Sequence, residues 1–523
     1  MVWQKEVDEL KRRRELAKEM GGPEGIARQR RRGRLTVRER IDLLIDQDSF
    51  HEIGSVAGSA EYDDKGETKS FTHMNHVIGF GKINGRRVCV DAGDFTIHGA
   101  LMDPAAHMGE LTTEQMALER RVPLIKLLDS GGGSVLQIET RGRTHLLGRP
   151  RGSIDNAESA VVNLMAQVPV VSAALGTLGG APPISAPSSH WSIMTKGSEL
   201  FVAGPPLVKQ ALGIDITREE LGNYKIHAYQ SGVIDNVAED EKDAFRQIKL
   251  FLSYLPQNVW QQPPRVQTGD DPNRRDEELL SIIPRDRKKL YDMHQLIRHV
   301  VDKDSIFELS PFYGRSLITV LARMDGYPVV VMGNDCRWFG GAVTTAACEK
   351  MTRFVDFADT FHLPIIYLVD CPGFMIGPQS EKEGIERKSA RLSFALQQLT
   401  VPGIPIMLKR SYGVAGALSA SVSSLKLRYA WLSGEWGSLP IEGGVMAAYR
   451  KDIESAPDPE AKRIEIENRL AQLRSPFRTA EAFEVEEIID PRDTRPILCE
   501  FVENAWEITG TQLGIKSRVG IRP

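Results

Sequence analysis

Five residue pairs in this chain keep one constant spacing. Gly85/Gly326, Gly99/Gly340, Pro123/Pro364, Asp129/Asp370 and Gly132/Gly373 each lie 241 positions apart. Chance identities do not hold a single offset over such a span, so the 523-residue chain is read as a duplicated domain. The flanking segments agree as well. Asn84-Gly85 before VCVDAGDF corresponds to Asp325-Gly326 before VVVMGNDC, and VPLIKLLDSGG from Val122 corresponds to LPIIYLVDCPG from Leu363. Farther on, gaps are needed, and VPVVSAALGTLGGA from Val168 is paired with IPIMLKRSYGVAGA from Ile404. So long a period excludes a solenoid of short repeats.

Within each half the pattern runs strand, glycine loop, helix, a second apolar strand ending in Asp and glycines, helix, then a third strand ending in a glycine-rich loop. Strands alternating with helices predict an α/β fold with mainly parallel crossovers. The Pro-, Gln- and charge-rich stretch 255–278 reads as a linker, and 458–474 as a long exposed helix. The expected organisation is a basic helical arm over 1–40, a first domain over 41–265 and a second over 266–523. The arm holds 13 Lys/Arg against 7 Asp/Glu, including Arg12-Arg13-Arg14 and Arg30-Arg31-Arg32. It suits either a solvated helical face or attraction of an anionic ligand such as the phosphates of coenzyme A. No aromatic residues alternate with these arginines and the whole chain carries a net charge of −4, so nucleic acid is not an expected partner.

A stretch without Asp, Glu, Lys or Arg, 159–195, invites reading as a membrane span. Pro169, Pro182, Pro183, Pro187 and several glycines interrupt it, so a buried helix end, a buried strand and a glycine loop are expected instead. The N-terminus has no apolar secretory core. The five cysteines stand apart with no CxxC pair, which disfavours a zinc ribbon and fits a reducing cytoplasm.

The chemistry-bearing signal is glycine at strand ends. Gly131-Gly132-Gly133 and Gly179-Gly180 occupy such positions in the first half, and Gly373 and Gly413-Val414-Ala415-Gly416 in the second. Ligands of parallel α/β sheets sit beyond the carboxyl ends of strands, and small residues there let backbone N–H groups reach an oxyanion. Phosphate-loop patterns, a GxSxG elbow and HExxH are all absent from the sequence. Ser130 is replaced by Cys371 in the other half, which favours packing over nucleophilic attack. His190 fits either a ligand contact or a satisfied wall histidine. Asp129 and Asp370 fit either acid/base groups or turn caps.

These residues resemble the carboxyltransferase (β) subunits of biotin-dependent acyl-CoA carboxylases, the propionyl-, acetyl- and methylcrotonyl-CoA carboxylase group. The similarity spans nearly the whole chain, through GRLTVRERIDLLIDQDSFHEIG (33–54), GDFTIHGA, PLIKLLDSGG, ELFVAGPPLVKQALGIDITREELG and EDEKDAFRQIKLFLSYLP. It continues through RFVDFADTFHLPIIYLVDCPGFMIG, SYGVAGA, DPEAKRIEIE and EIIDPRDTRPIL. The resemblance implies two tandem crotonase-like (ββα-superhelix) domains. It also implies a reaction in which carboxybiotin releases CO₂, biotin removes the α-proton of an acyl-CoA, and the enolate attacks CO₂. Two oxyanion holes serve it. By resemblance, acyl-CoA lies in the first half near Gly133, Gly179, Gly180 and Ala181, and biotin in the second near Gly373, Phe374, Gly413, Val414 and Ala415. Gly132, Ser134, Ala417, His190 and Arg34 are the expected substrate contacts.

The chain carries no biotinyl-lysine motif and no ATP-binding glycine loop, so a separate biotin carboxylase and biotin carrier are expected partners. No metal is expected. The resemblance further implies a homo-oligomer, commonly a hexamer, with each site shared between the first half of one chain and the second half of another. Three loops depart from the family pattern: SGGAR-IQEG becomes Ser130-Gly-Gly-Gly-Ser134-Val-Leu-Gln-Ile, GGAYD becomes Gly413-Val-Ala-Gly-Ala417, and the loop after ELG reads NYKIH instead of GGART. Ala417 stands where propionyl-type members carry an Asp that tunes acyl choice, which points to a different acyl group. The same scaffold is also compatible with a decarboxylase run in reverse, or with a non-catalytic subunit that binds CoA ligands.

Overall fold

The computed structural model describes residues 2–101, 104–133, 135, 138–139, 142–144, 157–422 and 427–517. The chain divides into two compact units, Met1–Val259 and Trp260–Pro523.

The first unit opens with α1 (Gln4–Lys18), α2 (Gly22–Arg31) and α3 (Val37–Leu44). Thr36 and Glu39 form a reciprocal capping box at the start of α3, which satisfies two of its orphan N–H groups. Strands β1 (His51–Ile53), β2 (Gly58–Tyr62), β3 (Thr68–His73), β4 (His76–Ile83) and β5 (Arg86–Gly93) follow. Helix α4 (Pro104–Arg120) then leads to β6 (Leu124–Ser130), and α5 (Ala157–Met165) to β7 (Val170–Gly179). The short α6 (Pro182–Ser185) precedes β8 (Trp191–Thr195), β9 (Glu199–Phe201) and β10 (Asn236–Ala238). Apart from the β2–β3 ribbon these strands form one sheet in the order β1-β4-β5-β6-β7-β8-β10, with β9 on the far end of β7. Pairing is antiparallel from β1 to β5 and parallel from there to β10.

The second unit repeats this order with β11 (Phe307–Glu308), β12 (Leu317–Met324), β13 (Tyr327–Asn334), β14 (Ile365–Cys371), β15 (Gly403–Tyr412), β16 (Tyr429–Trp431), β17 (Glu435–Gly437) and β18 (Glu487–Ile489). Its main helices are α7 (Thr345–Thr360), α8 (Ile385–Gln397), α9 (Gly413–Ala420) and α10 (Pro459–Ala471). The last of these is capped by Asp458, whose carboxylate accepts from the Ala461 N–H.

The repeat is visible at the level of single turns. Asn84 and Gly85 have φ of 50° and 77°, and Asp325 and Gly326 have 47° and 79°. Each pair closes a two-residue hairpin, Ile83 facing Arg86 and Met324 facing Tyr327. Two consecutive positive φ values are what a type I′ hairpin turn requires, and Asn-Gly and Asp-Gly are the sequences that tolerate it.

The third strand differs from its sequence pairing. The Leu124 N–H donates to Pro169 O, and the Ile365 N–H donates to Pro402 O. Pro169 therefore corresponds to Pro402, not to Pro405, and β7 aligns with β15 at an offset of 233 positions. Pro405 lies inside β15, opposite Tyr367.

The stretch 159–195 runs through the end of α5, the wholly buried β7 that was expected, α6 and β8, but the helix end is not buried as expected, with Val162 71% exposed. Among the described residues no helix is long and apolar enough to cross a membrane. The basic arm packs on its own unit. Arg12 donates to Thr68 O (2.9 Å), and a Cβ at Gly21 would overlap Thr96 O at 2.0 Å.

Candidate functional site

In the first unit the loop after β6 meets the loop after β7. A Cβ built on Gly132 would lie 2.2 Å from Gly179 O, and one on Gly180 would touch Gly132 Cα at 3.7 Å. Glycine is thus required for the two loops to approach, and Gly132 also has φ of 79°.

The backbone donors in this corner divide cleanly. The Gly131 N–H donates to Gly99 O (2.9 Å), the Gly132 N–H to Ser130 Oγ (3.3 Å) and the Gly180 N–H to Val202 O (3.1 Å). Pro182 and Pro183, which open α6, have no N–H. Gly133 and Ala181 keep N–H groups that no acceptor among the described residues takes.

The second unit builds the equivalent corner. Gly373 has φ of 135°, and its carbonyl accepts from the Val343 N–H (3.0 Å), while the Met375 N–H donates to Val343 O (3.0 Å). This bridge leaves the Phe374 N–H between them unused. Gly413 has φ of 62° and begins α9, which carries no side-chain cap at Tyr412. The N–H groups of Gly413, Val414 and Ala415 therefore form an uncapped helix start, with the positive end of the helix dipole behind them.

Residues 28–517 match the carboxyl transferase domain family. The chain belongs to that family. It is a carboxyltransferase of the biotin-dependent acyl-CoA carboxylase type. It is 33% identical to the propionyl-CoA carboxylase carboxyltransferase subunit of Haloferax mediterranei, covering 95% of each chain. It is 30% identical to methylmalonyl-CoA decarboxylase subunit alpha of Veillonella parvula, covering 94% of each. Among solved structures it superposes with TM-score 0.86 and 30% identity on a transcarboxylase 12S hexamer with methylmalonyl-coenzyme A and methylmalonic acid bound, over 99% of this chain and 98% of that one.

Several expected substrate contacts of the carboxyltransferase are engaged elsewhere. His190 uses both ring nitrogens on backbone, Nδ1 accepting from the Val170 N–H (3.0 Å) and Nε2 facing Met165 O (2.9 Å). It ties the end of α5 to β7. The largely buried Arg34 donates to Thr177 Oγ1, Gly197 O and Glu199, all within 3.2 Å. Gly180 shapes the loop, but its own N–H is spent. Ser134 lies outside the described residues. Ala417 is exposed on α9, four residues past its first residue, Gly413.

Both strand-end aspartates are held in ion pairs with arginines. Asp129 is fully buried between the Arg40 guanidinium (3.0 Å) and the Gln29 amide (3.0 Å). Asp370 is equally buried, held by Arg410 (2.6 Å) and the Tyr291 hydroxyl (2.9 Å). Burial pushes the Cys371 thiol up to about 11, so it is no thiolate at neutral pH. Among the described residues no group of His, Cys, Asp and Glu could hold a metal ion.

One cluster escaped the sequence reading altogether. A cavity of about 70 Å³ opens beside Gly132 and Ala181, and its floor holds His76, Asp91, His107 and Glu110. His76 Nδ1 lies 2.8 Å from Asp91 Oδ1. Burial pushes the Asp91 carboxyl up, but the His76 charge, the His76 hydrogen bond and the Lys126 charge together outweigh it and hold the group below its usual range. Behind this pair, Lys126 donates to Glu114 (2.5 Å), both about 1% exposed. Comparing the two halves position by position for polarity, not only for identity, would have exposed the cluster.

Gly132→Ala is expected to part the two loops, because the new Cβ has only a backbone carbonyl to meet. Misplacing catalytic donors by an ångström costs roughly a hundredfold in rate. Carboxyl transfer should fall at least that far while circular dichroism shows a folded chain.

Proposed function

We propose that the first half binds the acyl-CoA thioester and the second half binds biotin. In the first, the N–H groups of Gly133 and Ala181 receive the thioester oxygen as it becomes an enolate. In the second, those of Phe374, Val414 and Ala415 receive the biotin ureido oxygen. The observation that carries this reading is the pair of uncommitted donor sets at equivalent strand ends of a duplicated sheet. Fixed donors aimed where negative charge develops are the arrangement that lowers the barrier of an enolate-forming reaction. Carboxybiotin, brought by a separate carrier charged by a biotin carboxylase, supplies the carboxyl group and the base. The chain's own work is then to orient, polarise and exclude water. The same donors serve the reverse direction, since an enolate forms either way.

The CoA phosphates have a plausible anchor in the arm. Arg32 lies over the Phe95 ring at 5.2 Å, and burial together with the nearby Arg34, Arg218 and Arg28 charges holds its guanidinium below the usual range. Such an excess of cation is relieved by a phosphate. Arg32→Ala is expected to weaken acyl-CoA binding roughly tenfold, the worth of one charge-assisted hydrogen bond. The loss should shrink with added salt, as isothermal titration at two ionic strengths would show.

The decisive experiment mixes the protein with carboxylated biotin carrier and a panel of acyl-CoAs. Transfer of the carboxyl group to the α-carbon of at least one supports the proposal, and no transfer to any sinks it. Assembly as a homohexamer, with the acyl-CoA half of one chain serving the biotin half of another, fits the hexameric relative. Light scattering should then give six times the 58.2 kDa chain mass. The dispersed, buried and unpaired cysteines suit a cytoplasmic setting.

A further inference from the structure

The floor of the cavity beside Gly132 and Ala181 is made by one face of the sheet and one face of α4. His76 on β4, Asp91 on β5 and Lys126 on β6 share the sheet face, for Asp91 stands opposite both Ile78, two residues on from His76, and Lys126. His107, Glu110 and Glu114 follow at helical spacing along α4. Six ionisable groups thus line a seam between helix and sheet, where a core is normally apolar.

The duplicated half supplies the control. At an offset of 241 the six positions are Leu317, Met332 and Tyr367 on the sheet, and Cys348, Met351 and Val355 on α7. All six are buried, and none carries a charge. These six positions therefore pack without charges there, although α7 buries the neighbouring Lys350, whose ammonium donates to Leu317 O (2.7 Å). Buried charges cost several kcal/mol each in desolvation and are kept where something else needs them. The second half, read as the biotin half, carries no ionisable group at any of these six positions beyond the Tyr367 hydroxyl and the Cys348 thiol.

His107 and Glu110 both line the cavity. His107 Nδ1 is buried with no partner among the described residues. A volume of about 70 Å³ admits about five water-sized groups, enough for a short acyl chain. The carboxylates of Asp91 and Glu110 face the same space, with Glu114 behind, and disfavour a second negative charge there.

Resting on the reading of the first half as the acyl-CoA half, we propose that this cavity selects a short acyl group whose far end carries a neutral hydrogen-bonding substituent, such as a hydroxyl, over a plain hydrocarbon chain. A hydrocarbon end would leave the Glu110 carboxylate, which has no partner among the described residues, desolvated and unpaired, whereas a hydroxyl can donate to it.

The test compares 3-hydroxypropionyl-CoA with its methyl isostere butyryl-CoA and with the carboxylate-ended succinyl-CoA. Binding is measured by isothermal titration without any carboxyl donor, so that turnover plays no part. The hydroxyacyl-CoA should bind at least about tenfold tighter than either. In the double variant His107→Cys/Glu110→Met, which copies the second half, butyryl-CoA should gain affinity and the hydroxyl preference should vanish. Butyryl- or succinyl-CoA binding as tightly as the hydroxyacyl-CoA would overturn the proposal while leaving the acyl-CoA half in place. Should none of the three bind, nor CoA itself, both the proposal and the assignment of the halves fall.

Discussion

Ala181→Pro is expected to lower kcat for carboxyl transfer by about 10²–10³-fold, the usual consequence of losing one oxyanion-hole donor. The substitution deletes one N–H and almost nothing else. Ala181 already has φ of −76°, within the range proline fixes. Its N–H has no acceptor to lose among the described residues. Melting temperature and CoA affinity should therefore stay near those of the parent, while single-turnover transfer from a carboxylated carrier slows. A parent-like rate would remove Ala181 from the site. Loss of stability in step with activity would mean that its N–H serves the fold instead.

The second large effect concerns the buried Lys126–Glu114 pair. Burial pushes the Glu114 carboxyl up to about 7 against the opposing pull of Lys126. Burial likewise works against the Lys126 charge, but Glu114 and Glu110 outweigh it and raise the ammonium above its usual value. Removing one partner strands the other. Glu114→Val, the residue the second half carries at Val355, should cost about 3–5 kcal/mol in urea unfolding. Adding Lys126→Met should recover most or all of it, since an apolar pair of similar volume commonly equals or exceeds a buried ion pair. If the double variant is no more stable than Glu114→Val, the charges are holding the seam together, not merely tolerated within it.

Much of this fold was legible because duplication turns each half into a check on the other. Asn84-Gly85 and Asp325-Gly326 encode their turns locally, and the strands before Asp129 and Asp370 are apolar runs between a Pro and a Gly, interrupted in the first half by Lys126. The third strand was misaligned because Val-Pro recurs as Ile-Pro at 404–405. Its true counterpart, Pro402, is set by a ladder hydrogen bond between distant segments. The glycine loops were legible as places, but not which N–H groups remain free. That depends on acceptors such as Gly99 O and Val202 O, contributed by other segments. Arg34 and His190 misled for the same reason: their polar atoms are taken up by partners no local pattern reveals. The ionisable seam was hidden because its six members come from four elements.

The two strand-end aspartates differ in when their partners arrive. Asp370 is neutralised by Arg410, only 40 residues downstream, so this clamp can close as soon as its own strands pair. Asp129 waits on Gln29, 100 residues upstream, and on Arg40, which is also locked to Glu241 at a separation of 201 residues. Long closures are slow, and a chain emerging from the ribosome holds Arg40 in solution until most of the first unit has been made. The first copy is thus the one completed last relative to its own length, with the amino-terminal arm threaded back as its final stitch.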